Sequence, residues 1–292
     1  MNNNCFSKNK YLGLMILLLL LLPGCRVHIS NTITSSESTS FPETTPQFAS
    51  DVPSNGKWIR SLDGMTMILI PAGEFVMGTE GGENQPSHRV FLDDYWIDKT
   101  EVTNGMYALC VKEGACQEPS QADSHTRESY YGNSTYADYP VIYVSWDQAQ
   151  AYCHWVGARL PSEAQWEKAA RGTDERQYPW GNEIPSYLLL NYDGEVGDTT
   201  PVGSYPSGAS PYGVLDLSGN VWEWVADWFD GDYYAVSPYK NPQGPDNGQL
   251  RVTRGGSWSQ PEKYGLNTAT WRAMALPNYT KDDLGFRCAF SQ

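Results

Sequence analysis

Apolar and polar positions alternate clearly in the first third of the chain. Met67-Ile68-Leu69-Ile70, then Pro71-Ala72-Gly73, then Glu74-Phe75-Val76-Met77-Gly78 predicts two short strands around a turn. The stretch His88 to Ile97 predicts one further strand. Helices follow, each with a start signal. Thr103 is placed to cap a helix over Asn104 to Lys112, and Gly114 stops it. Ser145-Trp146-Asp147-Gln148 has the spacing of a capping box and opens a helix through Trp155, stopped by Gly157. Ser162-Glu163-Ala164-Gln165 is a second box, opening a helix to Arg171 with Gly172 at its end. Beyond that point the pattern dissolves into loops, and only Leu250 to Arg254 and Phe286 to Phe290 predict strands. There is no internal repeat, so the pattern implies one domain.

The two ends of the pattern differ in kind. Lys8 and Lys10 precede the apolar run Leu12 to Leu22, which is too short to span a bilayer comfortably. The run closes on Leu22-Pro23-Gly24-Cys25, which resembles a bacterial lipoprotein signal with Cys25 as the lipidated residue. Residues 26–56 are rich in Ser, Thr and Pro and carry no apolar period, as in a flexible tether. The expected organisation is a signal peptide over 1–24, a tether over 25–56 and a folded domain over 57–292. The expected location is outside the cytoplasm, held to the bacterial membrane by the N-terminal lipid.

Charge and cysteine count narrow the chemistry. The net charge of −14 argues against a nucleic-acid partner, which needs a basic footprint. Of six cysteines, Cys5 and Cys25 lie in or beside the signal segment, which leaves four and three possible pairings. Cys110 and Cys116 flank a short loop. A bond between Cys153 and Cys288 would tie the C-terminus to the middle of the chain, worth on the order of 4–5 kcal/mol in the chain-entropy model. The four histidines, His28, His88, His125 and His154, form no metal-binding pair by local spacing, and each is expected to be structural or solvated.

Several segments, in order, carry a family resemblance: Glu101-Val102-Thr103-Asn104; Val144-Ser145-Trp146; Arg159-Leu160-Pro161-Ser162-Glu163; Tyr178-Pro179-Trp180-Gly181-Asn182; Gly219-Asn220-Val221-Trp222-Glu223-Trp224; Arg254-Gly255-Gly256-Ser257-Trp258; and Leu284-Gly285-Phe286-Arg287-Cys288. Together they resemble the formylglycine-generating enzyme, or sulfatase-modifying factor, family. The resemblance implies an α+β fold with little regular secondary structure, related to C-type lectins, and a disulfide between Cys153 and Cys288. It implies one calcium held by Asp216, the carbonyls of Gly219 and Val221, and Glu223. It implies a second at Asn191 and Tyr192, with Asp193 and Asp198 as candidates from a loop of different length. Calcium suits such sites because it takes oxygen ligands from carboxylates and carbonyls.

The same resemblance exposes a loss. The family's copper-binding cysteine pair follows the Gly-Gly-Ser-aromatic motif, at positions that fall here on Gln260 and Gly265. Neither carries sulfur, and soft thiolates are what suit Cu(I), so copper is not expected. The expected function is a non-oxidase binding or accessory domain, with a peptide, saccharide or protein as ligand. The alternatives are an enzyme with cysteine-independent chemistry and, last, the formylglycine-forming oxidase. Trp222, Ser257, Gln260, Asn267, Trp271 and Arg272 are the candidate cleft residues, because that segment mixes aromatic, amide, hydroxyl and charged groups.

Overall fold

The computed structural model describes residues 56–80, 86–261, 263 and 265–291. The signal segment, Cys25 and the tether up to residue 55 lie outside the described residues. Among those described, no helix is long and apolar enough to cross a membrane.

The three predicted helices form where the caps place them. Thr103 accepts a bond from Met106 N and opens α1, Asn104–Lys112. Both reciprocal bonds of the capping box are present at Ser145, opening α2, Trp146–Trp155, and at Ser162, opening α3, Glu163–Arg171. Each box satisfies two N–H groups that a helix start leaves without partners.

The strands are short and make three sheets. One is antiparallel, in the order β1 (Lys57–Ile59), β2 (Thr66–Ile70), β5 (Tyr95–Asp98), β10 (Ala289–Phe290). A separate hairpin pairs β3 (Gly73–Met77) with β4 (His88–Leu92). The third runs β8 (Ala273–Ala275), β7 (Arg251–Arg254), β6 (Trp222–Trp228), β9 (Leu284–Phe286), with β6 and β9 parallel. The single strand expected over His88–Ile97 is therefore two strands in different sheets. Asp93 and Asp94, both exposed, interrupt the run where the chain changes sheet. The expected strand Phe286–Phe290 is likewise split at Arg287 and Cys288.

Sequence pattern alone did not predict β6, and the reason is physical. Its two charged residues point inward. Glu223 and Asp227 share a face turned to α3, where Trp166 Nε1 donates to Glu223 at 2.8 Å and Glu163 N donates to Asp227 at 2.7 Å. Trp222 and Trp224, on the opposite face, pack with α1 and α2 in a second apolar cluster around Tyr107, Tyr152 and Phe286. A strand buried on both faces shows no alternation.

Helix α3 is the axis of the main core, and every one of its residues is buried. Its charged groups are all met. Arg254 bridges Glu163 at 3.0 Å and Glu167 at 2.7 Å. Lys168 Nζ donates to the carbonyls of Pro71 and Gly73. Buried charges survive only when paired and hydrogen-bonded. Two disulfides complete the frame, Cys110–Cys116 and Cys153–Cys288. The second carries out the long-range closure implied by the family resemblance.

Candidate functional site

The loop after β7 begins with two glycines that no other residue could replace without strain. Gly255 and Gly256 have φ of 96° and 75°. A Cβ on Gly256 would lie 1.9 Å from Asn267 Oδ1. This close approach presses Asn267 into the interior and delivers Ser257 beneath the segment leading into β9.

Ser257 is fully buried, and its Oγ donates to Asp283 Oδ2 at 2.8 Å. Ser259 Oγ donates to the same oxygen at 3.1 Å, and Lys281 Nζ at 2.7 Å. Three donors thus converge on one carboxylate oxygen. The other, Oδ1, is buried and has no partner. Burial alone would pull the Lys281 ammonium down, but its bond to Asp283 and the nearby Asp282 outweigh that and raise its pKa.

Beside this cluster the Trp258 ring lies 4.9 Å from that of His125, and His125 Nδ1 lies 3.2 Å from Asp282 Oδ2. Gln260 reaches the cluster, with Nε2 3.4 Å from Ser259 Oγ. A groove of about 210 Å³ opens next to it. It is lined by Thr253, Ala273, Met274 and Ala275 of the third sheet, with Trp222, Tyr279, Lys281, Asp283 and Leu284.

The candidate cleft residues therefore separate. Trp222 lines the groove, Ser257 and Gln260 belong to the polar cluster, and Trp271 is 37% exposed. Two are not cleft residues. Asn267 has no exposed surface and packs against Gly256. Arg272 is only 8% exposed, pairs with Glu163 at 2.7 Å and lies over the Tyr234 ring. Both belong to the core because their backbone continues from β7 back across α3. Asp283, Lys281, Ser259 and His125 were not found from the sequence. Apart from Lys281 and Asp283, which pair two positions apart, their partners are distant in the chain, Ser259 and Asp283 by 24 positions and His125 and Asp282 by 157. The only available signal was the charge run Lys281-Asp282-Asp283 just ahead of the Leu284-Gly285-Phe286 motif.

The expected calcium donors also separate. Glu223 does not stand free: one oxygen accepts from Arg287 Nη2 at 2.6 Å, the other from Arg287 Nε at 2.7 Å and Trp166 Nε1. Asp216 Oδ2 accepts from Gly203 N at 2.6 Å. Asp198 accepts from Ser124 and Thr126 and pairs with Arg127. Asp193 is exposed. Gly219 and Val221 are buried, and Gly219 fits only as glycine, since a Cβ there would meet the Asn191 carbonyl at 2.3 Å. Among the described residues no group of three or more His, Cys, Asp or Glu side chains is placed to hold a metal ion, though calcium also takes amide and main-chain oxygens. One donor does fit a cation: Asn191 Oδ1 is buried without a partner, beside the buried Tyr192. Nearby, burial pushes up both Glu101 and Asp216; the Asp216 charge adds to the rise at Glu101, and Glu223 adds to that at Asp216.

Residues 57–292 match the model of the sulfatase-modifying factor enzyme 1-like domain. The formylglycine-generating enzyme of Streptomyces coelicolor is 34% identical over 76% of this chain and 88% of its own. That of Bos taurus is 31% identical over 76% of this chain and 74% of its own. Among solved structures, PvdO from Pseudomonas aeruginosa superposes with a TM-score of 0.69 at 26% identity, covering 82% of this chain and 100% of that one. Treponema denticola variable protein 1 gives 0.68 at 25% identity with the same coverage. The chain belongs to the sulfatase-modifying factor enzyme 1-like domain family.

Proposed function

We propose that this protein is an exported, lipid-anchored, non-oxidase member of its family that binds a ligand in the groove beside Ser257. The observation that carries the reading is the pair Gln260 and Gly265. An amide and a hydrogen atom supply neither a copper ligand nor a redox group. The remaining cysteines of the domain are closed in two disulfides. What stands in that region is a hydroxyl–carboxylate–ammonium cluster beside an aromatic-sided groove, which is the composition of a binding site.

The test is chemical. Purified protein loaded with Cu(I) is incubated in air with a cysteine-containing sulfatase peptide, and the peptide mass is followed. No aldehyde product is expected; formylglycine would overturn the reading. Anchoring is tested separately, since Cys25→Ser should release the protein from the membrane fraction. A second reading, an enzyme with cysteine-independent chemistry, draws on the bond from Ser257 Oγ to Asp283. The complete burial of Ser257 favours binding over nucleophilic attack.

Calcium belongs to the proposal through Asn191 Oδ1 and the Tyr192 carbonyl, which would hold the ion together with other main-chain oxygens. Its role would be to fix the loop that precedes β6. Removing it with a chelator should lower the melting temperature, whereas an identical melt with and without chelator would exclude a bound structural ion.

A further inference from the structure

We infer that a second cavity, beside Arg159, takes a small zwitterion of the amino-acid type, its carboxylate held by one group of side chains and its ammonium by another. The inference goes beyond the reading above, because this cavity of about 390 Å³ has its own lining residues, distinct from those of the groove beside Ser257.

The first group supplies donors. Arg159 precedes α3, and its main chain is bonded in both directions to Ala289 of β10, which fixes where its side chain starts. Arg159 Nη2 donates to Ser291 Oγ at 3.0 Å, and Gln165 Nε2 donates to the same oxygen at 3.2 Å. All three residues line the cavity, so the guanidinium end of Arg159 is the part that meets it. Its Nε and Nη1 have no partner among the described residues and are not closed off from solvent. Among the described residues no carboxylate pairs with this guanidinium, and burial pulls its pKa down unopposed. Ser291 keeps its own proton to give, whereas Gln165 Oε1 is taken by Ser162 N. The group thus offers donors and an unneutralised positive charge.

The second group supplies acceptors. Asp93 and Asp94 are the exposed pair at which the chain leaves β4 for β5. Asp93 is spent on Lys240 Nζ at 3.0 Å and Asn241 Nδ2 at 2.7 Å. Asn241 Oδ1 accepts from Asp93 N, and Gln243 Nε2 donates to the carbonyls of Asn241 and Pro242. The Asp94 carboxylate and Gln243 Oε1 are left, with no partner among the described residues.

These two groups select the occupant. A lone anion would meet Arg159 but also the charge of Asp94, and a phosphate would bring a second negative charge with no second free cation. A lone cation would meet Asp94 but also Arg159. One carboxylate and one ammonium in a single molecule match both, and the planar fork of an arginine holds a carboxylate by two parallel bonds. The size agrees, since this volume lies toward the lower end of small-molecule sites. Leu92, the apolar residue of the lining, is almost wholly buried, so the occupant is held by its polar ends.

The test is a calorimetric titration of the purified full chain. The probes are glycine, alanine and glycylglycine, set against acetate, phosphate, N-acetylglycine and glycinamide, which each lack one of the two charges. At least one zwitterion is expected to bind saturably, with every probe of the second set weaker by about tenfold or more. The order of alanine and glycylglycine reads whether the natural ligand is a free amino acid or a short peptide. Asp94→Asn, at an exposed position, should weaken zwitterion binding by about tenfold and leave the melting temperature unchanged. Arg159→Lys keeps the charge without the fork and should weaken it as well, with folding checked by circular dichroism. Absence of saturable binding by every zwitterion would overturn the inference. So would acetate, phosphate or glycinamide binding as tightly as glycine, or zwitterion binding that ignores either substitution. The oxidase and anchoring assays probe other residues, so their outcomes are independent of these.

Discussion

Single residues set the local geometry of the site and its response to pH. Gly256 combines a left-handed backbone with an approach that leaves no room for a methyl group. Gly256→Ala should destabilise the domain by about 1–3 kcal/mol from backbone strain alone, with more from displacing Asn267, as read from urea denaturation. Asp227 shows a different residue-scale effect. Burial, and then the neighbouring Glu163, push its carboxyl up to about 7. An unfolded aspartate titrates near about 3.9. The folded state therefore holds this proton more tightly, and the stability it contributes is full below that lower value. It is lost as pH rises through about 7. The wild-type melting temperature should fall between mildly acidic and mildly alkaline pH by a component missing in Asp227→Asn, with both proteins scanned in parallel. Parallel pH profiles would show that the proton sits elsewhere in the group formed with Arg254 and Arg272.

At the scale of elements, α3 and the third sheet are joined by charge as much as by apolar contact. Arg254 on β7 holds Glu163 and Glu167 on α3, and Arg272 holds Glu163 from the other side. Arg254→Ala would leave two buried carboxylates without their shared partner. Loss of about 3–5 kcal/mol is expected, against no more than about 1 kcal/mol for Arg89→Ala, whose ion pair with Glu74 is exposed. Chemical denaturation of the two variants side by side measures the contrast. The helices were legible in the sequence because Thr103, Ser145 and Ser162 act on N–H groups only a few positions away. Strand β6 was not. Glu223 and Asp227 read as solvent-facing until Trp166, Arg287 and Glu163 are known to lie against them. The same limit hid the site, since Asp283 meets Ser257 across 26 positions and Asn267 meets Gly256 only through the fold.

On the scale of the whole molecule, the two disulfides constrain very different lengths of chain. Cys153–Cys288 spans 135 positions and Cys110–Cys116 spans 6. The chain-entropy model gives about 5 kcal/mol for the first and about 2 kcal/mol for the second. Thermal unfolding of the paired serine variants should show the larger loss for Cys153→Ser/Cys288→Ser, and the reverse order would mean that the long closure is strained or redundant. Order-dependent motifs along the chain determined the family and the α+β class, because each is a matter of residue identity at a fixed spacing. The helix starts were determined in the same way, by bonds that close within one turn. Tertiary structure alone decided which charged groups are spent and which are open. It took Glu223 and Asp198 out of the free carboxylates and drew Asn267 and Arg272 into the core. It also brought Lys281 and Asp283 to Ser257 beside the groove. Whether a charged group is spent depends on neighbours that only packing brings within hydrogen-bond distance, and no local spacing encodes that.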